Sequence, residues 1–273
     1  MLLPPAELTL HPGLDGLEML TAAYRDHAYA LHTHETFVFG VVTSGVERFR
    51  VGRTRNIAPR GSIIAVNPQD PHDGEKGCEA GWSYRTCYPD VELVREIGAA
   101  LGFKDLPLFP SPVMHAPDLA RAFVRAHAAA KGDDALESET AMLSVLKQIV
   151  GRFAHVRKAR HPSNTSGAAT RLALYEDFIE DRLAGGIDLT ALAGAAGVTR
   201  FQVIRDFNKA ARMTPGQYIR DKRIRRASCL IRSATPLAEI ALAVGFADQS
   251  HFTRIFKSVK GLTPSAYRSV LSG

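Results

Sequence analysis

Hydrophobic positions change their period along this chain. Residues 36–42, 46–51, 62–66 and 82–88 are short runs rich in β-branched and aromatic side chains, separated by Gly, Pro or Asn-Pro, and they predict strands bounded by turns. Past residue 90 the apolar spacing lengthens to three and four. Residues 91–101 predict a short helix, residues 108–114 a returning strand, and residues 118–130 and 134–158 two helices joined at Gly132-Asp133. The last of these carries Leu136, Leu143 and Val150 at sevens, with Leu146 and Phe153 on the alternate seam. Two helices this apolar predict a dimerising hairpin, although packing on the strands is the simpler alternative. Residues 160–167, Arg-His-Pro-Ser-Asn-Thr-Ser-Gly, read as a flexible linker.

The C-terminal part contains a repeat of about 49 residues. Gly197-Val198 recurs as Gly245-Phe246, Arg205-Asp206-Phe207 as Arg254-Ile255-Phe256, and Thr214-Pro215-Gly216-Gln217-Tyr218 as Thr263-Pro264-Ser265-Ala266-Tyr267. Two copies are too few for a solenoid. Each reads as two short helices around a glycine, a helix-turn-helix. In the first copy Leu189, Leu192, Ala193 and Ala196 stripe one helix, Thr199 caps the next, and Val203 and Phe207 bury at i, i+4. That turns Arg200, Phe201, Ile204 and Arg205 outward. In the second copy Leu237, Ile240, Ala241 and Val244 precede the turn, Asp248 caps, and Phe252, Phe256 and Val259 bury, leaving Gln249, Ser250, His251, Thr253 and Arg254 outside. Residues 215–231 predict one continuous helix between the copies, with Tyr218, Ile219, Ile224, Leu230 and Ile231 on its buried side. Such a spacer would hold two reading helices about one DNA turn, roughly 34 Å, apart.

Charge follows the same division. Residues 168–273 hold 16 Lys and Arg against 9 Asp and Glu, whereas residues 1–167 hold 18 against 19, so the net charge of +6 comes from the repeat-bearing part. A basic surface there fits phosphate binding. For the run Arg220–Arg226 alone, a solvated basic helix face explains the residues equally well.

Residues 170–270 resemble the DNA-binding domain of the AraC/XylS family of bacterial transcriptional regulators. The match is carried by Gly245-Phe246-Ala247-Asp248-Gln249-Ser250-His251-Phe252-Thr253-Arg254-Ile255-Phe256-Lys257 and Gly261-Leu262-Thr263-Pro264-Ser265-Ala266-Tyr267-Arg268. The resemblance implies base-facing roles for Arg200, Phe201, Ile204 and Arg205 in the first reader, and for Gln249, Ser250, His251 and Arg254 in the second. Arg205 has the donors for guanine and Gln249 the donor-acceptor pair for adenine. For Arg254 the alternative is an ion pair with Asp248 or Glu239.

A looser resemblance covers the strands. His32-Thr33-His34-Glu35, Pro59-Arg60-Gly61-Ser62, Asn67-Pro68-Gln69-Asp70-Pro71-His72 and Gly81-Trp82 arrive in the order of the same family's cupin-like sensor domain. It implies a jelly-roll barrel with a small-molecule effector inside. The residues expected at that ligand are His32, His34, Glu35, Phe37, Phe39, His72, Trp82 and Tyr84, with Tyr88 and Arg85 as further candidates; strand alternation puts about half of the aromatic ones inside, in a phase the sequence leaves open. Three histidines have the chemistry to hold Zn²⁺, Ni²⁺ or Fe²⁺. An enzymatic cupin, however, places a glutamate four or five residues after His-x-His, where this chain has Val38 and Phe39. The reading adopted therefore has no metal, no cofactor and no catalytic residue. A metal-dependent cupin enzyme fused to a DNA reader is the alternative.

With 273 residues, 45% of them hydrophobic, the chain is long enough for two cores. There is no run of about 18 apolar residues and no basic-then-apolar leader, so a cytoplasmic protein at the nucleoid, without membrane partners, is expected. Three cysteines, Cys78, Cys87 and Cys229, suit a reducing compartment and offer no Cys-x-x-Cys zinc motif. That scarcity also disfavours DNA-repair methyltransferases with a similar DNA-binding domain, whose zinc site needs four cysteines. The expected fold is α+β and multidomain. Residues 1–112 form a cupin-like effector-sensing domain, 113–159 a helical dimerisation hairpin, 160–169 a linker, and 170–273 an all-α domain with two helix-turn-helix motifs. The function this implies is a ligand-responsive regulator, an activator, whose partners are an operator in double-stranded DNA, a small-molecule effector, a second copy of the chain and RNA polymerase.

Overall fold

The computed structural model describes residues 6–132, 134–156 and 167–271. The chain divides into two compact units, Met1–Ala28 with Thr33–Ala159, and Tyr29–His32 with Arg160–Gly273; because Tyr29–His32 lies in a strand hydrogen-bonded into the first unit's sheet, it is described with that unit. The first unit runs β1 (Ala6–Leu10), β2 (Glu18–Tyr24), β3 (Ala28–His32), β4 (Val38–Val51), β5 (Thr54–Pro59), β6 (Ser62–Val66), β7 (His72–Lys76), β8 (Trp82–Tyr88), α1 (Val91–Ala99), β9 (Pro107–Leu108), β10 (Val113–His115), α2 (Pro117–Ala129), α3 (Ala135–Phe153) and β11 (His155–Val156). Its main sheet has the order β1-β2-β8-β4-β6-β10, with β5 and β7 paired to β4 and β3 to β7.

Strand β4 organises this unit. Two separate strands were expected over its length, but the chain runs through as a single strand of 14 residues. The reason is Gly45, whose φ of 66° and the register shift between Val42 and Ser44 bend the strand without ending it. A Cβ on Gly45 would stand 2.0 Å from the Gly81 carbonyl oxygen, so only glycine permits this approach to the turn before β8. Before the bend β4 pairs with β6 and β8; after it, with β5 and β7. One strand thus serves both layers of the barrel.

Pleating sends alternate β4 side chains into two different cores. Val38, Val42 and Phe49 join Ala58, Ile64 and Val66 inside the barrel. Phe39 and Val41 face the other way, with Met19, Ile63, Ala65 and Cys87, against Val94 and Ile97 of α1, Phe123 of α2, and Met142, Leu146, Ile149 and Val150 of α3. The helices therefore cover the outer face of the sheet. This packing corrects the expected seam: Val150 and Leu146 are fully buried in the core and Leu143 packs partly against it, while Leu136 is 72% exposed. The expected strand over residues 108–114 is two short pieces, β9 and β10. β10 pairs with β6, so the sheet continues past the expected domain boundary at residue 112. α3 ends at Phe153, five residues before the sequence pattern suggested, because β11 turns back to pair with β9.

The second unit runs α4 (Gly167–Asp181), α5 (Leu189–Ala196), α6 (Arg200–Ala210), α7 (Pro215–Leu230), α8 (Leu237–Ala243), α9 (Gln249–Lys260) and α10 (Pro264–Leu271). Residues 160–166 of the expected linker lie outside the described residues; 167–169 are the first turn of α4. The helix starts at Thr199 and Asp248 match the caps read from the sequence, and the structure adds caps at Asp188 and Thr214. Asp188, Thr199 and Asp248 accept the Ala191, Gln202 and His251 amides at 2.7, 3.2 and 2.7 Å, and Thr214 with Gln217 closes a reciprocal capping box at α7. Gly197, with φ 62°, ends α5 in the left-handed conformation that makes the tight turn. Helix α4 gave no distinct signal in the sequence pattern, yet its Tyr175 and Ile179 are fully buried against Val203 and Phe207.

Candidate functional site

The two helix-turn-helix copies carry the same internal brace. Phe207 meets Tyr218 edge-on at a centroid distance of 5.2 Å, and Phe256 meets Tyr267 edge-on at 5.5 Å. Each pair ties the second helix of its helix-turn-helix to the start of the helix that follows it. With Val203, Phe207, Phe252 and Phe256 fully buried and Val259 nearly so, the opposite faces are set by helix geometry. Arg200, Phe201 and Arg205 of α6 are exposed and Ile204 is half-buried; Gln249, Ser250, His251 and Arg254 of α9 are exposed. Phe201 is 73% exposed, a large apolar ring held in solvent. The alternative pair for Arg254 does not form: Asp248 is occupied by its cap, and Arg254 has no ion-pair partner among the described residues.

A polar network unforeseen from the sequence fixes α6. The Asp206 carboxylate is 1% exposed and takes both prongs of the Arg171 guanidinium, Nε at 2.6 Å and Nη2 at 2.8 Å. Tyr175 donates its hydroxyl to the same carboxylate at 3.0 Å, and Gln202 its amide at 2.7 Å. The Arg171 bonds hold the Asp206 carboxyl below its ordinary value. Gln202 in turn accepts from Arg205 Nη2 at 2.6 Å, so the exposed Arg205 is linked by one residue to a buried anchor. In the second copy Ile255 takes the place of Asp206, and this network is unique to the first. The only sequence sign of it was one acidic residue on a face otherwise filled by Val203 and Phe207.

The basic run between the readers is less available than its composition suggests. Lys222 pairs with Glu180 at 2.8 Å, Arg223 donates to the Leu183 and Gly185 carbonyls at 3.1 and 2.9 Å, and Arg225 lies 3.5 Å from the buried Asp221. Three of its five cations brace the unit internally. Arg220 and Arg226 are the exposed ones.

In the barrel, β8 alternates as β4 does. Trp82 and Tyr84 share a face with Tyr24, at centroid distances of 5.3 and 6.2 Å from it, while Cys87 faces the helical layer and Arg85 donates to the Val124 carbonyl of α2 at 3.1 Å. Tyr88 packs against the inner core. Phe37 and Phe39, expected on the cavity wall, are instead fully buried with Phe109 between sheet and helices. The physical reason is phase: residues 37, 39 and 41 share one side of the pleat, and that side meets the helices. Arg85 is likewise outside the barrel. Glu35 is exposed. His32, His34 and His72 come together, offering ligand atoms within 4.8 Å of one another. Trp82 is 1% exposed and its Nε1 has no hydrogen-bond partner among the described residues. Glu47 of β4 is buried and desolvation pushes its carboxyl up to about 8.

No helix among the described residues is long and apolar enough to cross a membrane. Comparison with known proteins agrees with both halves of this arrangement. The family model described as AraC-like ligand binding domain matches residues 16–146, and that described as helix-turn-helix domain matches residues 192–269. An uncharacterized HTH-type transcriptional regulator of Bacillus subtilis, YbfI, is 26% identical over 225 residues, 81% of this chain and 80% of that protein. The regulatory protein SoxS of Salmonella typhimurium is 28% identical over 34% of this chain and 87% of its own length. Among solved structures, ToxT of Vibrio cholerae superposes with a TM-score of 0.55 at 11% identity over 93% of this chain and 97% of that one, a likeness of fold. A sensing barrel followed by duplicated helix-turn-helix units, matched in that order by both family models, makes this chain a member of the AraC/XylS family of transcriptional regulators, with a ligand-binding and a DNA-binding domain.

Proposed function

We propose that the chain activates transcription in response to a small molecule held in its barrel, reading DNA through Arg200, Phe201, Ile204 and Arg205 of α6 and Gln249, Ser250, His251 and Arg254 of α9. The observation that carries this reading is the exposure of Phe201 beside Arg205. An apolar ring and a braced guanidinium on one solvent-facing helix suit the thymine methyl and the guanine edge of a major groove. The effector lies against Tyr24, Trp82, Tyr84 and Tyr88, and Trp82 Nε1 supplies a buried donor for an acceptor on it. A ToxT structure holds an unsaturated fatty acid, so long-chain carboxylates belong in a screen with sugars, amino acids and aromatic acids. Effector binding shifts the balance between arrangements that do and do not engage paired half-sites. The protein works in the cytoplasm at the nucleoid, as a homodimer that recruits RNA polymerase, and has no catalytic role.

Comparative DNA binding tests the reading. Arg205→Ala should cost about 1–3 kcal/mol on the operator at one base pair while leaving random DNA nearly unchanged; Arg226→Ala should weaken both alike and lower the salt slope by about one. Equal losses on operator and random DNA for Arg205→Ala remove that residue from base readout.

A further inference from the structure

Three imidazoles converge at one edge of the barrel. His32 is the last residue of β3, His72 the first of β7, and these two strands are hydrogen-bonded neighbours; His34 follows two residues after His32. Strand pairing therefore fixes two of the three, and chain continuity brings the third. His32 is 4% and His72 8% exposed, with His34 half-buried, and the His34 and His72 ring centroids are 5.0 Å apart. The cupin-like resemblance grouped these three histidines, and the pairing of β3 with β7 is what brings His72 to the other two.

The hydrogen bonds of the rings decide which nitrogen carries the lone pair. His32 Nδ1 lies 2.7 Å from the Ala30 carbonyl oxygen, and His72 Nδ1 lies 2.9 Å from the Asp70 carbonyl oxygen. A carbonyl only accepts, so both Nδ1 atoms carry hydrogen and donate. In a neutral imidazole the lone pair then resides on Nε2. A ring whose N–H is held by a backbone carbonyl, with its lone pair on the other nitrogen, has the tautomer that supports metal ligation. The bond alone is not the signal, since His155 makes the same contact with the Phe153 carbonyl at the surface. What distinguishes His32 and His72 is that they are buried and meet a third histidine.

We propose that His32, His34 and His72 form a site for a divalent transition-metal cation, Zn²⁺ or a cation of similar ligand preference, bound by three imidazole nitrogens. Nitrogen ligands without thiolate or carboxylate suit zinc, nickel, copper or iron and exclude Ca²⁺ and Mg²⁺, which take oxygen. Metal–nitrogen bonds of about 2.0–2.1 Å place tetrahedral ligands roughly 3.4 Å apart. Ligand atoms already within 4.8 Å reach that spacing through small ring rotations. A three-ligand cation keeps one position open, where an oxygen or nitrogen of a small molecule can bind. The glutamate of enzymatic cupins is replaced by Val38 and Phe39, of which Phe39 is buried on the helical side, so the site is a binding centre with three protein ligands. The proposal stands apart from the regulatory reading: metal binding can fail while effector and DNA binding persist, and the reverse also holds.

The test uses the full chain prepared without a histidine tag, stripped with a chelator and titrated with Zn²⁺ alone by calorimetry, then with Co²⁺ followed by its visible absorption. One cation per chain is expected, with a cobalt spectrum of nitrogen ligation and no thiolate charge-transfer band. His34→Gln, at the half-buried position, should weaken Zn²⁺ by about 10–100-fold while the circular dichroism spectrum and the melting temperature of the metal-free protein stay unchanged. The triple variant His32→Ala/His34→Ala/His72→Ala should abolish the stoichiometric site. Failure of the wild-type protein to bind Zn²⁺ stoichiometrically overturns the proposal. So does undiminished affinity in folded His34→Gln, or a cobalt spectrum dominated by thiolate, which would move the cation to the cysteines.

Discussion

Replacing Asp206 with alanine probes what holds the first reading helix. The carboxylate is 1% exposed and receives four donors, from Arg171 Nε and Nη2, the Tyr175 hydroxyl and the Gln202 amide. Deleting one member of a buried, hydrogen-bonded ion pair costs about 3–5 kcal/mol, chiefly because its partners stay desolvated. The Arg171 side chain is 28% exposed and can regain water on one side, so the lower figure, about 3 kcal/mol, applies to Asp206→Ala. A domain of this size holds about 5–15 kcal/mol in total, so the unit stays folded but markedly weakened. With a urea m-value of about 1.5 kcal/mol/M, the midpoint falls by about 2 M. The chain supplies its own control. Its single tryptophan, Trp82, lies in the first unit, so tryptophan fluorescence follows the barrel while far-ultraviolet circular dichroism is dominated by the helices of the second. The helical transition should move and the fluorescence transition should not. Acid gives a second axis: the Asp206 carboxyl sits below its ordinary 3.8, so its contribution is complete above that value and disappears as pH falls through the lowered one. The gap between the wild-type protein and Asp206→Asn should narrow in the same direction. A midpoint shift under about 0.5 M, or an equal shift of both signals, would refute the reasoning.

Two further outcomes follow from buried groups of the first unit. Desolvation raises the Glu47 carboxyl from 4.5 to about 8, so between those values the folded barrel keeps a proton that the unfolded chain has lost, and stability falls as pH rises; thermal melts followed by Trp82 fluorescence should show that decline in the wild-type protein and not in Glu47→Gln, and parallel profiles would contradict it. Val150→Lys puts a charge into a fully buried core position and should unfold the barrel, whereas Leu136→Lys, at a residue 72% exposed, should leave it folded and, if the outer side of α3 is the dimer surface, monomeric. Sedimentation of Leu136→Lys decides this, since a folded protein that stays dimeric moves the interface elsewhere.

The helix-turn-helix half was legible because its information is local. Caps at Thr199 and Asp248, the left-handed Gly197, and the i, i+4 pairs Val203/Phe207 and Phe252/Phe256 are all set within a few residues, and each reappears in the structure where the repeat placed it. Helical phase then fixes the outward residues without reference to any distant contact. Four strand runs were legible for the same reason, with Trp82–Tyr88 recovered to the residue. Which pleat side faces the barrel interior was not, because a period of two gives two equivalent faces until something packs on one of them. The helices α1–α3 chose the side of Phe37, Phe39 and Val41, which removed two expected ligand residues and drew Val150 from a supposed dimer seam into the core. Tertiary packing also decided which charges are free: Arg171 and Asp206 lie 35 residues apart, Lys222 and Glu180 42 apart, and no spacing rule pairs them. His32, His34 and His72 were grouped only through the resemblance to a cupin-like domain; what physically brings His32 to His72 is the pairing of β3 with β7, strands far apart in the chain. Short-range sterics and hydrogen bonding wrote the readers into the sequence, while the pairing of distant strands and buried charges depended on long-range contacts that only the folded chain brings together.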